Sequence, residues 1–135
     1  WRVCDLSHGW TKPTDTVLAR MTSSGRWRGV EVLSLSGCAK ITDKGLDALG
    51  GAAMPALASL DLSGTRGLSA QGVSALIQRV VALRTLDISR AVFTPMTTAA
   101  QVILRAAAAA HAGTLEELIA ADLPRISASA LRALL

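Results

Sequence analysis

One short pattern returns five times along this chain at nearly constant spacing, and it constrains the fold more than any other feature. Each copy reads apolar-x-x-Leu-x-apolar-Ser-x, with clear copies at 30–37, 57–64 and 83–90 and degenerate ones at 1–8 and 115–122. The fourth position of each copy falls at Cys4, Leu33, Leu60, Leu86 and Leu118, which gives steps of 29, 27, 26 and 32 residues. A period of this length is typical of chains built from stacked supersecondary units.

The alternation within each copy predicts a short β-strand. In Leu60-Asp61-Leu62 the apolar residues are two apart and therefore share one face of a strand. A strand this short cannot bury its leucines alone, but five copies stacked side by side can. Because each copy is followed by a long connection, we expect a parallel sheet in which every strand returns to the same edge through a crossover.

The connections predict one helix per copy. After the second copy the chain reads Ile41-Thr42-Asp43-Lys44-Gly45-Leu46, and after the third it reads Leu68-Ser69-Ala70-Gln71-Gly72-Val73. Thr42 and Ser69 stand where a helix N-cap belongs, and apolar residues then recur three and four apart. The alanines at 106–110 extend one helix and explain the 32-residue step, and a last helix is expected near 126–134.

The segment Leu33–Leu46 closely resembles the cysteine-containing leucine-rich repeat, whose pattern is L-x-L-x-x-C-x-x-I-T-D-x-G-L. Only Cys38 occupies the cysteine position; other residues stand there in the remaining copies. The resemblance implies an α/β solenoid with short parallel strands on its concave side and helices on its convex side. The expected repeats lie near 1–29, 30–56, 57–82, 83–114 and 115–135, in a single segment that we expect to be part of a longer chain with further repeats.

The resemblance also implies a non-catalytic protein-interaction module. Such repeats occur in F-box proteins that select substrates for ubiquitin ligases, which is one expected role for the chain. They also occur in structural subunits of ciliary axonemes, which is the alternative. Both roles, and the presence of only two cysteines, place the expected site of action inside the cell, in cytoplasm, nucleus or cilium.

The residues between the buried leucines are expected to face outward and to form the partner-binding surface. This predicted surface is small, polar and mildly acidic, although the whole chain has a net charge of +4. Opposite charge would then favour a basic protein partner. The candidate partner-binding residues are Asp5, Ser34, Ser36, Asp61, Ser63, Thr85, Asp87 and Glu117.

No motif in the sequence indicates catalysis, a metal site or a cofactor site. His8 and His111 lack carboxylate or cysteine neighbours at metal-binding spacing, and no phosphate-binding glycine loop is present. Arg20, Arg26 and Arg28 surround Trp27, but with aromatic residues at only 3% there is little to stack on bases, so we expect a protein rather than a nucleic acid as partner. The most apolar stretch, Val102 to Ala112, is too short to span a membrane.

Overall fold

The computed structural model describes residues 2–9, 12–94 and 98–123, and within them five short strands form one parallel sheet. The strands follow one another across the sheet in the order of the sequence. Their bounds are β1 Val3–Asp5, β2 Val32–Ser34, β3 Ser59–Asp61, β4 Thr85–Asp87 and β5 Glu117–Ile119. In the strand register the middle residue of each strand pairs with the middle residue of the next, as the repeated pattern predicts. These middle residues are Cys4, Leu33, Leu60, Leu86 and Leu118.

Each connection between successive strands carries one α-helix, as the sequence predicts for the connections after β2, β3 and β4. The helices are α1 Asp15–Thr22, α2 Asp43–Gly51, α3 Ala70–Arg79 and α4 Ala99–His111, and a 3₁₀ helix, Arg26–Gly29, precedes β2. The predicted N-caps are confirmed: Thr42 Oγ1 accepts the Lys44 N–H at 3.3 Å, and Ser69 Oγ accepts the Gly72 N–H at 3.0 Å. The alanine run lengthens α4 to 13 residues, against 10 in α3. The helix expected near 126–134 lies outside the described residues.

The hydrophobic core lies between the sheet and the helices. In β2, β3 and β4 the middle leucine is fully buried while its two neighbours are half-buried, as alternation requires. The helices contribute apolar side chains from the face that meets the sheet, and Trp27 of the 3₁₀ helix joins them. Burying one leucine stabilises a fold by roughly 1.5–3 kcal/mol, so the stacked rows dominate its stability.

Aspartates at the first position of a helix tie each of two repeats to the next one. Asp15 accepts the Thr42 N–H at 2.8 Å and its hydroxyl at 2.6 Å, and Asp43 accepts the Ser69 N–H at 2.9 Å and its hydroxyl at 2.5 Å. The carboxylate of Asp43 lies over Gly72, where a Cβ would overlap Asp43 Oδ1. Gly72 is therefore required by the aspartate of the preceding repeat, and Asp15 stands over Gly45 in the same way.

The turn that follows a strand needs a residue in the left-handed conformation. Gly37 and Gly64 occupy this position with φ of 67° and 65°, and Arg90 and Asp122 occupy it with φ of 54° and 56°. Glycine adopts this conformation without a steric cost, whereas a side chain with a Cβ is strained there. Arg90 is thus a local departure from the best residue for the turn.

None of the helices in the described part of the chain has the length and apolar character needed to cross a membrane.

Candidate functional site

The face of the sheet that points away from the core is the candidate binding surface. It is formed by the first and third residues of every strand, and we call these ten residues the open sheet face. They are Val3, Asp5, Val32, Ser34, Ser59, Asp61, Thr85, Asp87, Glu117 and Ile119. Those of β2, β3 and β4 are half-buried between neighbouring strands, while those at the two ends are exposed, with Val3 64% and Ile119 37% accessible.

The aspartates of the open sheet face also build the turns that leave the strands. One carboxylate oxygen of Asp5, Asp61 and Asp87 accepts the N–H of the serine two residues later, in each case at 2.8 Å. This is an Asx-turn, in which the side chain of an aspartate accepts a backbone N–H two residues later. Three Asp-x-Ser triplets in the sequence are the signal for this turn. The alternation of apolar residues alone does not reveal it.

The second carboxylate oxygen differs among the three aspartates. Asp61 Oδ2 accepts the Ser34 hydroxyl at 3.0 Å, and Asp5 Oδ2 lies 2.9 Å from His8 Nδ1. The Asp87 side chain makes no other hydrogen bond with the described residues, so its second carboxylate oxygen is available to a partner. The hydroxyl and N–H of Ser7, together with His8, lower the pKa of Asp5, which therefore stays ionised to lower pH than a typical aspartate.

The structure corrects the outward orientation expected of Ser63. This side chain is only 6% accessible, and its hydroxyl donates to Ser36 Oγ at 2.8 Å. The reason is that β3 ends at Asp61, so the strict alternation of a strand no longer holds two residues later. There the chain turns through Gly64, whose N–H bonds the carbonyl of Ser89 in the next repeat.

The remaining candidate residues reach solvent to different degrees. Asp5 and Glu117 are exposed, and the half-buried ones are Ser34, Ser36, Asp61, Thr85 and Asp87. Seven of the eight residues therefore remain accessible, and six of these seven belong to the open sheet face. Ser36 lies beside it, in the turn after β2.

Catalytic and metal-binding geometries receive no support from the described side chains. Ser7, His8 and Asp5 are neighbours, but His8 Nδ1 faces both Ser7 Oγ, at 2.7 Å, and Asp5 Oδ2. A nucleophilic triad instead uses the two different ring nitrogens of its histidine for the serine and the aspartate. The described residues contain no cluster of histidine, cysteine, aspartate and glutamate that could hold a metal ion.

Cys38, which carries the family resemblance, is a buried packing residue. It is fully inaccessible, and its thiol lies 3.5 Å from the carbonyl oxygen of Leu6 in the preceding repeat. Burial raises the pKa of the Cys38 thiol, and burial likewise raises that of Cys4. Both cysteines are free, and both are set up to pack rather than to react.

Comparison with known proteins gives the family of the repeat. Residues 30–50 match the family model described as "Leucine Rich repeat". This match supports a leucine-rich repeat family, and it covers β2 and α2, where the resemblance in the sequence is strongest. Repeats of this type generally mediate protein–protein interaction. No curated protein matches the sequence.

A solved structure has a similar fold. It is a chain of the structure titled "Structure of Chaetomium Mex67:Mtr2 subunits", with a TM-score of 0.63 and 18% sequence identity. The match covers 98% of this chain and 88% of the other. At this identity the similarity concerns the fold alone.

Proposed function

We propose that the chain is a non-catalytic leucine-rich repeat solenoid segment whose open sheet face binds a protein partner with a basic surface. The observation that carries the proposal is the charge of this face. Among its ten residues are four acids, Asp5, Asp61, Asp87 and Glu117, and no lysine or arginine, in a chain whose net charge is +4. Complementary charge across an interface favours specific and fast association.

The geometry of the face suits a flat, polar contact. Adjacent strands of a sheet are about 4.8 Å apart, so Asp61 and Asp87, which are paired in the register, present two carboxylates side by side. Val3 and Ile119 add exposed apolar surface at the two ends of the same face. A partner that places a lysine or arginine over the central strands and apolar side chains at the ends would bury all three features.

The test is a set of variants that change charge without changing the turns. In Asp61→Asn and Asp87→Asn the amide oxygen can still accept the serine N–H, so the turns are kept while two charges are lost. The control pair is Asp47→Asn and Asp122→Asn, two exposed acids outside the open sheet face, and Asn tolerates the left-handed conformation of residue 122.

Partners captured with the wild-type chain should be rich in basic surface and should be lost with the first pair. The control pair should retain them. If both pairs of variants captured the same partners equally well, the open sheet face would not be the binding surface.

Two narrower roles are part of the same proposal. The chain would select substrates for an F-box-type ubiquitin ligase, or it would be a structural subunit of a large assembly such as an axonemal regulatory complex, and in both it would act inside the cell. The coding sequence that flanks this segment separates them, because an F-box beside the repeats would decide for the ligase. Recovery of tubulin or dynein-regulatory proteins with the wild-type chain would favour the axoneme, where the helices and the loops at 9–29 and 89–97 are expected to contact neighbouring subunits.

A further inference from the structure

A second surface with the opposite charge lies at the C-terminal ends of α2 and α3. It is an open groove of about 510 Å³, lined by the segment 50–55, Arg28, Arg79 and Val81. We call these residues the basic groove. It shares no residue with the open sheet face, and its volume lies within the range of roughly 300–1,000 Å³ that is typical of ligand pockets.

The two arginines of the basic groove have no acidic partner in the described part of the chain. Both are exposed, neither side chain makes an ion pair or hydrogen bond with a described residue, and no carboxylate lines the groove. Two other exposed arginines are paired, Arg2 with Glu31 at 3.2 Å and Arg84 with Glu116 at 3.1 Å. The groove therefore holds two arginines with no acidic side chain beside them.

Gly50 gives Arg79 its position. A Cβ at Gly50 would come within 2.5 Å of Arg79 Nη1 and 2.9 Å of its Cδ, so the arginine lies across the end of α2 where a side chain would otherwise stand. The guanidinium of Arg79 therefore lies beside the end of α2 and remains exposed. Guanidinium groups bind carboxylates through two parallel hydrogen bonds.

The rest of the groove is apolar. Val81 is 69% accessible, and Ala53 and Pro55 are exposed beside it. A groove that holds an exposed valine and two arginines is suited to a ligand that has both an anionic group and an apolar side chain. A free inorganic anion would use the charges but would leave the apolar part uncovered.

We propose that the basic groove binds an acidic segment of a protein partner, in which glutamate or aspartate residues alternate with apolar ones. The carboxylates contact Arg28 and Arg79, and an apolar side chain covers Val81. The chain would then use surfaces of opposite charge for different partner segments.

The experiment uses a fluorescent hexapeptide of alternating glutamate and leucine, with a lysine–leucine hexapeptide as the charge-reversed control. Binding to the full chain is measured by fluorescence anisotropy. The variants are Arg28→Ala, Arg79→Ala and Gly50→Ala, which displaces the Arg79 guanidinium without removing its charge. Arg105→Ala removes an exposed charge from α4, away from the groove, and is the matched control. Circular dichroism confirms that each variant is folded.

We expect the acidic peptide to bind, and each arginine variant to weaken binding by about three- to tenfold. Gly50→Ala should weaken it to a similar degree, while Arg105→Ala should change it by less than about twofold. Added salt should weaken binding further, since the contacts are charged.

Two results would overturn the proposal. These are no binding of the acidic peptide, or an equal loss with Arg105→Ala. Displacement of the peptide by inorganic phosphate at equal concentration would show a simple anion site and would overturn it as well. None of these results bears on the open sheet face, because its variants are tested with basic partners.

Discussion

The contact between Asp43 and Gly72 should reverse the effect of Gly72→Ala on the free energy of unfolding. Gly72 lies in the first turn of α3, where alanine is normally preferred over glycine by about 0.8–1 kcal/mol. In this chain a Cβ at position 72 would overlap Asp43 Oδ1, which also accepts the Ser69 N–H. We therefore expect Gly72→Ala to destabilise the wild-type chain and to stabilise a chain that carries Asp43→Ala.

The size of this coupling follows from the structure. Forcing a methyl group into a filled site costs about 1–3 kcal/mol, so Gly72→Ala should lower the free energy of unfolding by that amount in the wild type. Asp43→Ala removes two hydrogen bonds to Ser69 and should cost about 1.5–3 kcal/mol. With the carboxylate gone, Gly72→Ala should recover up to about 1 kcal/mol through helix propensity. The coupling is then about 1–4 kcal/mol, above the roughly 0.5 kcal/mol scatter of independent sites.

The coupling is measured with a double-mutant cycle, which consists of the wild type, Gly72→Ala, Asp43→Ala and the double variant. Each chain is unfolded in urea and followed by far-ultraviolet circular dichroism. Gly51→Ala is the control, because a Cβ at Gly51 would meet nothing within 4 Å, and it should change the stability equally in both backgrounds. If Gly72→Ala destabilised both backgrounds equally, the aspartate would not be what excludes a side chain. The explanation of why Gly72 is a glycine would then be wrong.

Further predictions concern single residues. Ser74→Ala should raise the melting temperature, with a gain of about 1 kcal/mol, because the buried Ser74 hydroxyl has no hydrogen-bond partner among the described residues. Arg90→Gly should stabilise the chain by about 1 kcal/mol in urea unfolding by relieving a φ of 54°, whereas Arg90→Ala should not. Iodoacetamide at about pH 8 should label Cys38 slowly in the folded chain and quickly in urea, since burial raises the pKa of this thiol. The raised pKa of Cys38 also makes the free energy of unfolding depend on pH. It should be constant below the ordinary thiol pKa of about 8.5 and should fall as the pH rises from there toward the pKa of the folded chain. Urea unfolding across this pH range measures the fall.

The sequence predicted the sheet well because the repeat itself determines strand register. Aligning the copies on Leu33, Leu60 and Leu86 reproduces the strand pairing, since neighbouring repeats place equivalent residues side by side. The N-caps at Thr42 and Ser69 could also be predicted from the sequence. A serine or threonine just before an apolar run with helical spacing is typical of an N-cap, because its hydroxyl accepts a free N–H of the first turn.

The contacts between repeats could not be predicted in this way. Alternation describes side chains only within a strand, so it gave the wrong orientation for Ser63, which lies beyond the end of β3. The alignment also showed that Gly45 and Gly72 are equivalent without showing why both are glycine. That reason lies in the aspartate of the preceding repeat, and it requires the three-dimensional stacking of neighbouring helices. The basic groove likewise joins residues from separate repeats that no local pattern connects.

The aspartate at the end of a strand links the fold of this chain to its proposed function. One carboxylate oxygen of Asp87 holds the turn through the Ser89 N–H, and the other is available at the open sheet face. In β2 a serine stands at this position, and its hydroxyl makes a longer contact of 3.4 Å with the Ser36 N–H while donating to Asp61. Ser34 thus shows that the turn can form without a charge. The negative charge of the face is therefore separable from the turn, which is why Asp87→Asn should weaken binding of a basic partner and leave the unfolding free energy nearly unchanged.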